Sequence, residues 1–180
     1  MSEYVCHTGG ISAGRLHSYP ETRGGGNALL AFARNFAAGP TEVTAIPTAG
    51  IEIPWGLIYS LSDTIPVGGT DVPITPRATG RIRVSGVLVV KNSSDTAETV
   101  NLVIRIGAIE LAFPFLEANS IESGGVEAIP FLGETLISEA FPLGVTTTVR
   151  IFATSTNDTD VELVALDSTI EVQEVAVPTG

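Results

Sequence analysis

The residues of this chain that could carry chemistry are few and widely scattered. Its single cysteine, Cys6, is followed by His7, and the only other histidine is His17. A zinc site needs about four ligands and a cysteine nucleophile needs an oriented base, so Cys6 and His7 would require partners from other chains. A reduced thiol near the N-terminus is the simpler interpretation. We therefore predict no catalytic residue, no metal site and no cofactor.

Carboxylates are plentiful enough to form chance pairs. Glu110 with Glu117 could face each other across a cleft of the glycosidase kind, and Glu122 with Glu127 form a second such pair. Residues 158–160 could hold calcium, but an Asx turn accounts for the same residues without an ion. No Gly-x-Ser-x-Gly motif of a serine hydrolase occurs. The chain is predicted not to be an enzyme.

Three arginines, Arg77, Arg81 and Arg83, cluster at the start of a predicted strand. The whole chain carries 9 basic and 20 acidic residues, a net charge of −11, which argues against nucleic acid and anionic membranes as partners. The cluster is therefore expected to pair with acidic groups of a neighbouring subunit. We expect synthesis in the host cytoplasm, because the sequence shows no export signal and no apolar run near 20 residues.

The composition is that of a β protein. The 180 residues include 18 Val, 16 Ile and 20 Thr, whose branched side chains favour strands. From Glu42 onward, Pro, Gly and Asn-Asp turns recur about every 8–15 residues, the spacing of a sandwich or barrel. No alternation of strands with helices is visible. We predict an all-β, antiparallel jelly-roll sandwich of about eight to ten strands.

Two long strands stand out within this pattern. In residues 80–92 the apolar residues alternate up to Gly86 and then change phase, which predicts a bulge there. A turn at residues 92–95 leads into a second alternating run, Val100 to Ile106. The two runs are predicted to form a hairpin.

Charge and glycine content separate an N-terminal arm, residues 1–41, from the body, residues 42–180. The arm carries three arginines against two glutamates, whereas the body carries six basic and 18 acidic residues. A short helix, about residues 28–38, is predicted between Asn27 and Gly39. Its apolar face, formed by Leu29, Phe32 and Phe36, would dock on the body or on another subunit.

The arm also contains isolated apolar residues that a plain linker would not need. They are Tyr4, Val5, Ile11, Leu16 and Tyr19. Two interpretations remain open, a frayed terminus and an arm that becomes ordered against a neighbouring chain. Two interpretations also remain open for four phenylalanines that lie beside prolines between the predicted strands. They could be core residues or part of an interface between subunits. They are Phe113, Phe115, Phe131 and Phe141.

The order of these segments resembles a known family. Thr79–Asn92, then Val100–Ile106, then Pro142-Leu143-Gly144-Val145 and a closing Ile170–Val175 follow one another within residues 45–177. This order is similar to that of the trimeric, tumour-necrosis-factor-like jelly rolls of bacteriophage head decoration and fibre proteins. The resemblance implies a homotrimer on a capsid, with the N-terminal segment as its foot, and it transfers no catalytic residue.

Our leading hypothesis is accordingly a structural virion protein, a capsid decoration or cement protein whose partners are its own copies and the major capsid protein. Capsid docking is expected from the arm and helix residues, which are Tyr4, Val5, Ile11, Leu16, Tyr19, Leu29, Phe32 and Phe36. The subunit interface is expected at Phe113, Phe115, Phe131 and Phe141. A low charged fraction, 16%, and a single lysine suit a buried interface.

Two other function classes remain. A receptor- or glycan-binding tip on the same scaffold would stack Trp55 or Tyr59 on sugar faces. A jelly-roll enzyme of the cupin type is disfavoured, because residues 42–180 contain no histidine.

Overall fold

The computed structural model describes residues 27–34, 44–60, 69–77, 80–111, 119–136, 142–164 and 168–176. These residues form 13 strands in chain order: β1 (Asn27–Arg34), β2 (Thr44–Ala45), β3 (Ile51–Glu52), β4 (Leu57–Ser60), β5 (Val72–Ile74), β6 (Gly80–Asn92), β7 (Glu98–Ile106), β8 (Ile109–Leu111), β9 (Asn119–Ile121), β10 (Val126–Leu136), β11 (Thr147–Ser155), β12 (Val161–Leu163) and β13 (Thr169–Ala176). The count exceeds the predicted eight to ten because many of these strands have only two to four residues.

The strands form two antiparallel sheets. In sheet one the order is β2-β12-β6-β13-β1-β4, and β10 pairs with the other side of β6. In sheet two the order is β3-β11-β7-β8, with β5 also paired to β11 and β9 to β7. Every strand pair is antiparallel. The predicted antiparallel sandwich is therefore confirmed.

The core lies between the two sheets and follows from period-two patterning. On β7 the alternate residues Val100, Ile104 and Ile106 are fully buried, while Asn101 between them is exposed. Ile82 and Val84 on β6 face them across the sandwich. Each such side chain contributes about 1.5–3 kcal/mol by leaving water.

The predicted helix at residues 28–38 is wrong over its described part, because Asn27–Arg34 is strand β1. It pairs with β13 on one side and β4 on the other, with a register shift between Leu29 and Ala31. An isolated helix of about 11 residues is marginal in water, so backbone pairing on both sides outweighs the helix propensity of its alanines. Phe36 lies outside the described residues. Within the described part of the chain, no helix is long and apolar enough to cross a membrane.

The bulge predicted at Gly86 is also absent. The β6 register against β10 and β13 runs through Gly86 without a shift. Glycine is needed for space, because a Cβ there would lie 2.5 Å from Cζ of Phe131 and closer still to the carbonyl oxygen of Thr169. The register therefore leaves Val87 pointing away from the core, on the outer face of sheet one.

The predicted hairpin between residues 80–92 and 100–106 does not form. The first segment is β6 in sheet one, whereas the second is β7 in sheet two. Each of the two strands buries one face in the same core. Two consecutive strands therefore show the same alternating sequence pattern whether they pair as a hairpin or lie in opposite sheets.

Candidate functional site

The outer face of sheet one carries two exposed apolar patches. The first, the β1–β4 patch, consists of Leu29, Phe32 and Tyr59. Phe32 and Tyr59 are direct cross-strand partners, so their side chains share this face, and Tyr59 is 53% exposed. Leu29, at 42% exposed, extends the patch along β1. Leu30, Ala31 and Ala33 are buried, and the register shift between Leu29 and Ala31 places Leu29 opposite Gln173, on the same outward face as Phe32 opposite Glu171.

The second, the β6–β10 patch, lies at the opposite edge of sheet one. It consists of Val87 on β6 and Val126, Ala128, Pro130 and Leu132 on β10. Val126 and Leu132 are each 59% exposed, although both are large and apolar. Alternation accounts for this arrangement, because Ile129 and Phe131 on the same strand point into the core.

A polar strip on β13 separates the two patches. Its outward residues include Glu171 and Gln173, whose side chains are joined by a hydrogen bond of 2.5 Å from Gln173 Nε2 to Glu171 Oε1. Farther along the same face, Glu134 accepts from Arg83 Nε at 2.5 Å and pairs with Arg81 at 3.5 Å. The hydrogen bond from Arg83 lowers the pKa of Glu134.

The arginine cluster was predicted to pair with acidic groups of a neighbouring subunit, but two of its arginines pair with a carboxylate of the same chain. Arg81 and Arg83 share Glu134, and the backbone N–H of Arg77 donates to Glu174. Glu134 therefore compensates part of the positive charge of Arg81 and Arg83 within the same chain.

The outer face of sheet two has a different character. Arg105 donates to Glu110 at 2.9 Å and lies 3.8 Å from Glu52, which also pairs with Arg150 at 3.4 Å. Arg150 in turn pairs with Asp71, which raises its pKa. The guanidinium of Arg105 stacks over the ring of Phe152, 4.2 Å from its centroid, and covers the aromatic residue of this face. Both outer faces therefore carry ion pairs, but among the described strands only those of sheet one also expose large apolar side chains.

A polar network closes one end of the sandwich. Glu98, only 7% exposed, accepts hydrogen bonds from Thr156 Oγ1 at 2.6 Å and from Ser94 Oγ at 2.9 Å. Thr96 and Asn157 donate to the same carboxylate at 3.1 and 3.3 Å. These bonds, that of Thr156 first, lower the pKa of Glu98 to about 2. One carboxylate thus joins the β6–β7 connection to the β11–β12 connection.

The candidate calcium loop is an Asx turn. Asn157 Oδ1 accepts from the backbone N–H of Thr159 at 3.0 Å and of Asp160 at 3.1 Å. Asp158 Oδ1 accepts from both the backbone N–H and the hydroxyl of Thr48, which lowers its pKa. Donors of the chain itself therefore bind both Asn157 Oδ1 and Asp158 Oδ1.

Of the remaining candidates for chemistry, the structure describes Glu110, Glu122 and Glu127. Glu110 is held by Arg105, whereas Glu117, Cys6 and both histidines lie outside the described residues. Glu122 and Glu127 are exposed, on a turn and at the start of β10. In the part of the chain that the structure describes, no three His, Cys, Asp or Glu residues are grouped as metal ligands.

The structure describes only some of the predicted interface residues. Leu29 and Phe32 lie in the β1–β4 patch, and Phe131 is 3% exposed, in the core of its own chain. Outside the described residues lie Tyr4, Val5, Ile11, Leu16, Tyr19, Phe36, Phe113, Phe115 and Phe141. Of the two aromatic residues considered for sugar binding, Tyr59 is at the surface, but Trp55 is 1% exposed and cannot stack on a ligand.

Sequence reasoning missed the β6–β10 patch. The usable signal was the change of phase at Gly86, where Val87, Leu88, Val89 and Val90 follow one another without a polar residue. A strand with apolar residues on both faces is either buried on both faces, or it exposes one apolar face until a binding partner covers that face.

Comparisons with known protein families and with curated proteins find no match. Among solved structures, a chain of infectious bursal disease virus, Gt strain, is 12% identical, with a TM-score of 0.48 over 82% of this chain. That match spans about a third of the viral chain, 33%. The PRD1 vertex protein P5 is 14% identical, with a TM-score of 0.45 over 85% of this chain and 99% of its own. Eiger TNF from S. frugiperda is 11% identical, with a TM-score of 0.39 over 84% and 96%. Both kinds of protein named by the sequence resemblance, viral and TNF-like, occur among the matches.

Proposed function

We propose that the chain is a structural virion protein, a homotrimeric bacteriophage capsid decoration or cement protein. In this proposal it binds the major capsid protein through the arm, residues 1–41, and acts by binding alone. The observation that carries it is the contrast between the two outer faces: in the described part of the chain, sheet one carries two exposed apolar patches and sheet two carries none. The resemblance of the strand order to phage head decoration and fibre proteins supports the choice of partner.

The apolar patches favour self-association. Large apolar side chains held in a rigid sheet gain free energy when a second protein surface removes them from water. The two patches lie at opposite edges of one sheet, with β1, β13 and β6 between the outer strands β4 and β10. A contact between unlike patches is head to tail, and such contacts close into a ring when the rotation from one subunit to the next divides a full turn evenly. Three copies is the number that the family resemblance implies.

The charges favour an outward position for sheet two. With a net charge of −11, the assembled trimers repel one another and other particles. The five charged residues on the outer face of sheet two pair among themselves, which suits a surface that stays in water. The arm differs in charge from the body, and three arms on one trimer would multiply weak contacts with the shell.

The first test is the solution mass of the full-length chain by light scattering. We expect about three chains, 3 × 18.7 kDa, whereas a monomer would overturn the proposal. Leu132→Asp and Tyr59→Asp, one in each patch, should each reduce the mass toward one chain. Leu143→Asp, at an exposed position in the β10–β11 connection, serves as the control and should keep the trimer.

Mixing the two patch variants tests the head-to-tail contact directly. Each variant retains the patch that the other has lost, so an equimolar mixture should form one intact contact and give a heterodimer. If like patches met instead, each variant would form a homodimer through the patch it retains, and the mixture would contain no heterodimer. That outcome would reject the ring arrangement while leaving self-association in place.

The second test addresses the capsid. In the full-length chain, the five apolar residues of the arm, Tyr4, Val5, Ile11, Leu16 and Tyr19, are changed to serine. The variant should remain a trimer but no longer co-sediment with particles assembled from the major capsid protein of the same virus. Undiminished co-sedimentation would reject the role of the arm.

Tyr59 supports a second candidate function, a receptor- or glycan-binding tip. Its exposed ring beside Phe32 is a platform of the kind on which sugars stack. Saturable binding on a glycan array that Tyr59→Ala removes would favour this function. Binding that survives the substitution, or no binding, would reject it.

A further inference from the structure

Strand β10 stands at an edge of sheet one. It has 11 residues, and among the strands that the structure describes only β6 pairs with it. A long, apolar edge strand is ordinarily a template on which a strand from another molecule adds. The β6–β10 patch therefore offers two modes of association, packing of its face and extension of the sheet.

The hydrogen bonds of β6 show which groups of β10 face this edge. Val89 donates its N–H to Ser168 Oγ at 2.9 Å and accepts from the N–H of Val164 at 2.8 Å, both on the side away from β10. Asn92, three residues on, donates to the carbonyl of Gly125 at 2.9 Å, on the β10 side. Alternation thus directs the odd-numbered residues of β6 away from β10 and the even-numbered ones toward it.

Pro130 is paired with Val87, an odd-numbered residue. This pair exchanges no ladder hydrogen bond, so the nitrogen of Pro130 faces the free edge. The neighbouring edge positions, Ala128 and Leu132, have N–H groups to offer a new strand, but Pro130 between them has none. The missing donor and the ring lie near the middle of the 11-residue edge.

We propose that Pro130 blocks strand addition at β10, so that copies of the chain associate by packing their faces into a closed oligomer. The self-association itself rests on the proposed function, whereas the blocked edge rests on the backbone geometry of β6 and β10. An unblocked edge would allow open-ended growth, since each added strand exposes a further edge. A protein present in many copies on one particle must avoid such open-ended growth.

The test compares full-length Pro130→Val with the wild type and with Ala128→Val. Both variants place valine on the same face of β10, but only Pro130→Val restores an N–H at the edge. We expect Pro130→Val to give a broad, concentration-dependent mass distribution in sedimentation velocity, with thioflavin T binding. The wild type should keep one discrete mass, and Ala128→Val, which alters the β6–β10 patch without adding an N–H, should give a discrete mass no larger than that of the wild type. Pro130→Ala, which restores the N–H with the smallest side chain, should repeat the effect.

Near-UV circular dichroism of the buried Trp55 reports whether each variant is folded. Folded Pro130→Val and Pro130→Ala with discrete masses no larger than that of the wild type would overturn the inference. A monomeric wild type with polymerising Pro130 variants would instead reject the proposed trimer and keep the blocked edge. The two failures are therefore distinguishable.

Discussion

Core packing leaves no space for a side chain at Gly86. The ring of Phe131 and the carbonyl oxygen of Thr169 occupy the space that a side chain at this position would need. Because neither the core aromatic nor the backbone of β13 can move without disturbing a sheet, any Cβ here forces strain.

Gly86→Ala should therefore destabilise the chain by about 1–3 kcal/mol, the usual cost of overpacking a dense core. The midpoint of urea unfolding measures it, with Ser85→Ala on the outer face of the same strand as the control. The double variant Gly86→Ala/Phe131→Leu should recover part of the loss, because the smaller side chain frees space. If Gly86→Ala were as stable as wild type, the close packing around Gly86 would be wrong.

Glu98 predicts a dependence of stability on pH. Its pKa is about 2 in the folded chain, against 4.5 ordinarily, so the unfolded chain binds its proton more readily. The stabilisation is complete above about pH 4.5 and is lost as the pH falls toward 2. Glu98→Gln should lower the urea midpoint at pH 7, and its deficit relative to wild type should shrink below pH 4.5.

Glu122→Gln, which removes one exposed negative charge nearby, is the matched control for Glu98→Gln. It should leave the urea midpoint at pH 7 close to that of wild type. A deficit of Glu98→Gln that stayed constant from pH 7 to pH 2.5 would contradict the role of the ionised carboxylate.

At the scale of elements, β1 shows how partners override local preference. Its alanines favour a helix, but β13 and β4 offer backbone hydrogen bonds on both of its sides. Strand geometry buries Ala31 and exposes Ala28, whereas a helix docked through Leu29 and Phe32 would turn Ala31 toward the opposite side.

Ala31→Asn should consequently cost about 3 kcal/mol, because an amide without partners enters a packed core. Ala28→Asn, at an exposed position of the same strand, should change the stability by only about 0.5 kcal/mol. Chemical denaturation of both variants measures the difference. Equal effects would contradict the strand assignment.

At the scale of the molecule, the contrast between the two outer faces predicts that folding and association are linked. If three chains associate as they fold, each tenfold rise in protein concentration should stabilise the chain by about 0.9 kcal/mol, by mass action. Urea midpoints at several concentrations measure this. Leu132→Asp, which disrupts the β6–β10 patch, should remove the concentration dependence, and wild-type midpoints independent of concentration would contradict association.

The sequence alone determined the class of the fold. The β-branched composition, the spacing of the turns and the alternation in β7 can all be read without knowing which strands pair. Together they predict an antiparallel sandwich. The Asx turn at Asn157 was equally local. The absence of any histidine from residues 42–180 likewise disfavoured cupin-type chemistry before the fold was known.

Tertiary structure decided everything that depended on partners distant in sequence. Leu29 and Phe32 lie on a strand because β13, more than 130 residues later, pairs with it. Gly86 is a packing requirement because Phe131 crosses it, and the β6–β7 connection changes sheet although its pattern suits a hairpin. The strand register alone decides that the nitrogen of Pro130 faces the free edge of β10. Periodicity shows that a residue alternates, but only pairing between strands decides which face is covered and which edge is free.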